Sequence, residues 1–162
     1  MQEPATADPT AVVGRRVAAA VIDGLLHFAF NALVFFLLAD HLSNSWQLRG
    51  SKALLYYAIS FGVVVLHYGW LQGTSGFTLG KHAARIRTIG PDGHVPGFGR
   101  ALLRTIVWVA DAAPWCIPGL VGFTLASTTR GHRRLGDMAA NTYVVTEDYV
   151  RAPQFQSQTP QS

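Results

Sequence analysis

Two long apolar runs, residues 17–39 (VAAAVIDGLLHFAFNALVFFLLA) and 53–71 (ALLYYAISFGVVVLHYGWL), constrain this chain more than any other feature. Each is near the ~20 residues that a helix rising about 1.5 Å per residue needs to cross a hydrocarbon core of ~30 Å. Composition agrees: 49% of the 162 residues are apolar and 14% are charged, well under the roughly one-quarter usual in soluble domains. The expected fold is an all-α membrane protein whose first two transmembrane helices form a hairpin, joined by the short polar loop DHLSNSWQLRGSK at 40–52. Residues 17–39 exceed the ~7–15-residue core of a secretory signal and contain an acid, which favours an uncleaved first span.

Charge placement sets the expected orientation. Residues 72–104 carry Lys81, Arg85, Arg87, Arg100 and Arg104 against the single acid Asp92, so this loop and the N-terminus are expected in the cytoplasm. The net charge of +4 falls in short groups beside apolar runs, without a continuous basic face with interleaved aromatics, and nucleic acid is not an expected partner. Within the loop, RIRTIGPDGHVPGF alternates polar and apolar residues around GPDG, the pattern of a small cytoplasmic β-hairpin. NTYVVT (141–146) is β-prone and could add a strand. Residues 1–13 and 151–162 are rich in Pro, Gln, Thr and Ala, lack a periodic apolar face and read as tails around a membrane domain at 14–150.

A third apolar segment, residues 101–126, is interrupted by Pro114 and Pro118. Two arrangements fit it. One is a Pro-kinked single span; the other is a re-entrant hairpin of two short helices, residues 100–113 and 119–128, whose irregular joint must be surrounded by protein or line a cavity. The first strands Arg130, Arg133 and Arg134 on the outside, and the second returns them to the cytoplasmic side.

Polar residues inside the first span form one stripe. At about 100° per residue, Arg16, Asp23, His27 and Asn31 fall within an arc of roughly 80°. An aspartate at that depth costs on the order of 3 kcal/mol on insertion scales and needs a partner. Arg16 is aligned with it at i,i+7, and Arg104 and Asp111 repeat the same spacing, so crossed ion pairs between two such elements are one expectation. Two functional readings follow: a relay or path for a small cation or proton, or a paired network that fixes helix register. His67 lies on a face with Ser60 and Tyr56 and reads as a hydrogen-bonded packing histidine.

Other chemistries find little support. The six histidines show no metal-ligand spacing, and Cys116 stands alone, which excludes an intramolecular disulfide. GTSGFTLGK has the glycines and lysine of a phosphate loop, but His82 occupies the position that requires Ser or Thr. No nucleophile with a base at catalytic spacing is present, so neither an enzyme nor a cofactor is expected.

Arg16 with Asp23, then GFTLGKHAARIRTIGPDGHVPGFGRALLR, then RRLGDMAANTYVV, taken in that order, resemble the RDD family of small membrane proteins over residues 14–146. The family is named for one Arg and two Asp, which map to Arg16, Asp23 and either Asp137 or Asp111. The resemblance implies a multi-pass protein of the bacterial inner membrane, with transport proposed for the group and sodium/proton exchange for some members. Ala-Asn at 140–141 and His82 depart from the common family pattern. On its own chemistry Asp137 sits beside Arg133 and Arg134, where with Lys81 it could latch the C-terminal segment to the cytoplasmic loop. A homo-oligomer is expected, because three apolar segments make a thin wall for a path. The alternative is a non-transporting scaffold whose basic loop binds anionic lipid or another membrane protein.

Overall fold

The computed structural model describes residues 8–42, 44–111, 120–129 and 131–151. α1 (Val13–Leu38) and the helix Gly50–Ser75 are each 26 residues long and apolar enough to cross a membrane. At 1.5 Å per residue each extends about 39 Å. The second is built of α2 (Gly50–Val64), a π-helical stretch (Val65–Leu71) and a last turn, α3 (Gln72–Ser75), closed by Gly76 at φ +78°. Protein covers little of either helix: Phe28 is 74% exposed, Leu37 73%, Leu54 72% and Phe61 70%. Large apolar residues in continuous exposed bands require an apolar surround. Between the helices lies a short antiparallel ladder, β1 (Asp40–Leu42) with β2 (Ser45–Gln47), stitched by the Lys52–Asp40 ion pair.

The opposite end of the hairpin holds the protein's packed core. α4 (Leu79–Ala83) lies against α1, and β3 (Ile86–Ile89) follows it directly. β3 pairs antiparallel with β4 (Tyr143–Thr146), in the register Ile86↔Thr146 to Ile89↔Tyr143. The β-hairpin expected within residues 85–98 therefore forms differently. GPDG makes a tight turn closed by Gly90 N–H to His94 O, and the partner strand comes from NTYVVT, 57 positions along. The expected addition of NTYVVT forms, while the local return strand does not, because the chain after His94 is diverted by Pro96 into α5 (Gly97–Asp111). Ile86 and Val144 pack with Val12 and Ala19 at the foot of α1, while Thr146 N–H bonds to Pro9 O. Residues 9–12, expected as part of a tail, are thus tied into the sheet; residues 152–162 of the C-terminal tail lie outside the described residues.

α5 packs on α3, on the π-helical stretch and on α7 (Leu135–Ala139), and it also meets α6 (Leu120–Thr128). The joint holding Pro114 and Pro118 lies outside the described residues. Because β4 returns to pair with β3, the excursion from residue 97 to residue 134 begins and ends at one end of the hairpin. α8 (Glu147–Arg151) ends the described chain.

Candidate functional site

The polar residues of α1 are held by different partners from those their spacing suggests. Asp23, 3% exposed, accepts three hydrogen bonds from elsewhere in the chain: Thr78 Oγ1 at 2.5 Å, the backbone N–H of Gly80 at 2.7 Å, and His67 Nε2 at 3.1 Å. Thr78 N-caps α4, so the carboxylate ties the first turn of that helix to the middle of α1. Gly80 makes the approach feasible: a Cβ there would stand 2.1 Å from the Ala19 carbonyl oxygen. GTSGFTLGK, whose glycines imitate a phosphate loop, is instead the segment that brings Thr78 and Gly80 to Asp23.

His67 is presented by the π-helical stretch, whose wider turn is a recurrent feature of functional helices. Its ring lies 4.8 Å from those of His27 and Tyr68. His27 Nδ1 bonds to Asp23 O, and Asn31 donates to His27 O while accepting from Ser60 of α2. The stripe thus lies at the α1–α2 seam, with His27 Nε2 buried and without a hydrogen-bond partner.

Arg16 turns away from Asp23. Its guanidinium meets Asp137 Oδ2 at 2.8 Å, and Arg104 meets Asp137 Oδ1 at 2.6 Å while donating to Thr142 Oγ1. The expected Arg16–Asp23 partnership is replaced by one carboxylate clamped between two guanidiniums; the crossed pairing with Asp111 rests on a side chain outside the described residues. The physical reason is reach: Asp23 lies about 10 Å along the axis from Arg16, whereas α7 brings Asp137 directly over α1 and α5. Asp137 is fully buried and also accepts the Arg134 N–H at the start of α7. Burial by itself pushes its carboxyl up, but Arg104, Arg134 and Arg16 outweigh that and hold it well below the ordinary carboxylate range.

Of the four residues expected to form a latch, Arg133 and Arg134 adjoin Asp137, and Lys81 takes other partners. Arg133 lies 4.5 Å over the Tyr143 ring and donates to Asp137 O and Asn141 Oδ1. Arg134 caps α7. Lys81 makes no ion pair with Asp137; its ammonium donates to Gln72 Oε1 at 2.9 Å and Thr88 Oγ1 at 3.0 Å. Burial, with Arg104 and Arg134 adding to it, pushes that ammonium well below the ordinary lysine value, and the charge of Asp137 only partly offsets this. Lys81 and Arg134 line a cavity of about 370 Å³ together with Arg16, Asp23, His27 and Arg104.

This constellation of one arginine in α1 and two buried aspartates, one mid-helix and one at the head of α7, coincides with a family-model match to the RDD family over residues 10–141. The chain belongs to the RDD family. Membership, with the two exposed apolar helices, identifies a membrane protein. No curated protein and no solved structure matches it. Asp137, one of the two positions considered for the second aspartate of this RDD protein, is bonded to Arg16. Thr78, Gly80, Gln72, Thr88 and Thr142 escaped sequence reasoning, since hydroxyls, amides and a glycine in a polar loop carry no periodicity. The only signal was TLGK itself, an N-capping Thr with a Gly inside a five-residue helix. Among the described residues no cluster of His, Cys, Asp or Glu could hold a metal ion.

Proposed function

We propose that this RDD protein is a non-transporting membrane scaffold, whose buried charges lock a cytoplasmic platform onto a two-helix membrane hairpin. The observation that carries this reading is the state of Asp23: it is sealed from solvent, and its two oxygens accept from Thr78, Gly80 and His67. A carboxylate so engaged is a joint; a carrier site has to release and rebind its cargo at such a group. Asp137, pinned by Arg16 and Arg104, plays the same part at the platform.

In this reading the end with the β3–β4 sheet faces the cytoplasm of the bacterial inner membrane, since the basic residues gather there. The return of the chain to that sheet supports a re-entrant third segment: α6, nine residues long, spans only about 13 Å. Of the basic-loop residues, Arg85 and Arg100 are exposed, whereas Lys81 faces inward and Arg87 donates to Ser75 O. Arg85 and Arg100 are therefore the contacts to anionic lipid, each worth about 1 kcal/mol near a charged surface. A second copy of the chain seated on the exposed apolar bands completes the assembly.

A second reading rests on a separate observation. Asp23, His67 and His27 adjoin one another, and His27 Nε2 is unpartnered beside the cavity, which is a rudimentary proton relay. Flux of protons and sodium into proteoliposomes under imposed gradients separates the two. The scaffold predicts no flux in the parent or in Asp23→Asn; flux in the parent that Asp23→Asn abolishes, with insertion intact, establishes the relay.

A further inference from the structure

The cavity has a chemical character that a joint alone does not require. Four elements deliver cations to it: Arg16 from α1, Lys81 from α4, Arg104 from α5 and Arg134 from the start of α7. Asp23 is the one carboxylate among its lining residues and is already engaged by three donors, while Asp137, behind the wall, pairs with Arg16 and Arg104 and leaves their remaining N–H groups and Lys81 facing inward. Lys81 is the odd member. It is an inward-facing ammonium whose hydrogen-bond partners, Gln72 and Thr88, are both neutral. A buried cation without a counter-charge is costly, and an ammonium has three donors to place.

Two further donors or acceptors wait at the same wall. Arg16 Nε and His27 Nε2 are buried without a hydrogen-bond partner. Backbone and side chains satisfy nearly all buried polar atoms in folded proteins, so two such atoms on one cavity wall, beside Lys81, point to something that enters it. The rest of the wall is apolar, with Val64, Ala20 and Trp108. At about 370 Å³ the space lies in the range of small-molecule sites, larger than a single monatomic ion needs.

We propose that this cavity is a binding site for a phosphate-class anion, a lipid phosphate headgroup or free phosphate, held by Lys81 and the Arg16 and Arg134 guanidiniums with the apolar wall beside it. Donors converging from four elements suit a tetrahedral oxyanion with several acceptor oxygens better than a planar carboxylate with two. The inference deepens the scaffold reading by naming what the platform holds at the membrane surface.

The test uses the full-length protein in phosphatidylcholine nanodiscs. Inorganic phosphate is titrated in one arm and phosphatidylglycerol is incorporated at increasing mole fraction in the other. The readouts are Trp108 fluorescence, assigned by Trp108→Phe, and the lipid count retained in native mass spectrometry. Saturable binding at one site per chain is expected, weakened at least 10-fold by Lys81→Met and unaffected by Lys52→Gln at the far end. Ala20→Phe, which fills the cavity from an exposed position of α1 and leaves every charge in place, is expected to abolish it, so the result does not hang on Lys81→Met folding. Saturation by both ligands, or by phosphate alone, assigns a site open to free anion; saturation by the lipid alone assigns a headgroup site. Absence of saturable binding, or binding unchanged by both Lys81→Met and Ala20→Phe, overturns the proposal. Flux dependent on Asp23 bears on the scaffold reading alone, so the two fail separately.

Discussion

Replacing Asp137 with alanine is the most demanding trial of the arrangement described above. Its carboxylate faces Arg16 at 2.8 Å and Arg104 at 2.6 Å, and each contact has a gross Coulomb energy of ~6 kcal/mol at an effective dielectric of ~20. Desolvation opposes this by several kcal/mol per ion, so the intact cluster is worth little net, yet removing one partner costs about 3–5 kcal/mol because the other charges stay buried. Here two guanidiniums are left facing each other, with side chains 10% and 3% exposed, and α7 also loses the acceptor for Arg134 N–H. The expected loss is therefore at the upper end, about 4–5 kcal/mol. It can be read as a shift in the unfolding midpoint in mixed micelles titrated with sodium dodecyl sulfate. The triple change Arg16→Met, Asp137→Leu, Arg104→Met removes all three charges of the clamp together and should recover more than half of that loss. A single-variant cost under ~1 kcal/mol, or a triple variant no more stable than the single, would refute the claim that Asp137 is clamped between buried guanidiniums.

Gly80→Ala should disrupt α1–α4 packing by at least ~1–3 kcal/mol, since its Cβ would meet the Ala19 carbonyl at 2.1 Å. Gly99→Ala in α5, with nothing within 4 Å, should stabilise by ~0.5–1 kcal/mol in the same titration. Thr78→Val deletes a donor to a buried carboxylate oxygen and should cost about 1–3 kcal/mol while exposing residues 76–83 to proteolysis. Asp137 makes stability acid-sensitive: its folded value is depressed, so its contribution is complete above the ordinary value of 3.8 and is lost as pH falls below it. Melting curves from pH 6 down to 2 should show the loss setting in near pH 4 and steepening below it, and should flatten in Asp137→Asn. Lys81 acts in the alkaline range. Its folded value is also lowered, so the folded state holds fewer protons and stability should rise as pH climbs towards 10.5, a slope that Lys81→Met removes.

The sequence alone determined what depends on short stretches of chain. Two apolar runs of membrane length became α1 and the helix Gly50–Ser75, because composition and a 3.6-residue period act within the segment that shows them. The polar stripe on α1 was legible for the same reason, as was the tendency of residues 143–146 to be a strand. Partners were not legible. Arg16 and Asp23 share a face at i,i+7, and nothing local says that the arginine bonds 121 positions away or that the aspartate is met by a threonine and a backbone amide 55 and 57 positions on. Strand pairing was legible in part: NTYVVT was expected to join the strand before GPDG, and it does, whereas the local hairpin across GPDG does not form and β4 takes that place. Lys81 was expected in a latch with Asp137, yet the tertiary structure turns it inward against Gln72 and Thr88. Periodicity specifies which face of an element is buried; what that face touches is decided by the packing of distant segments, because a buried charge accepts whichever partner the assembled backbone brings within about 3 Å.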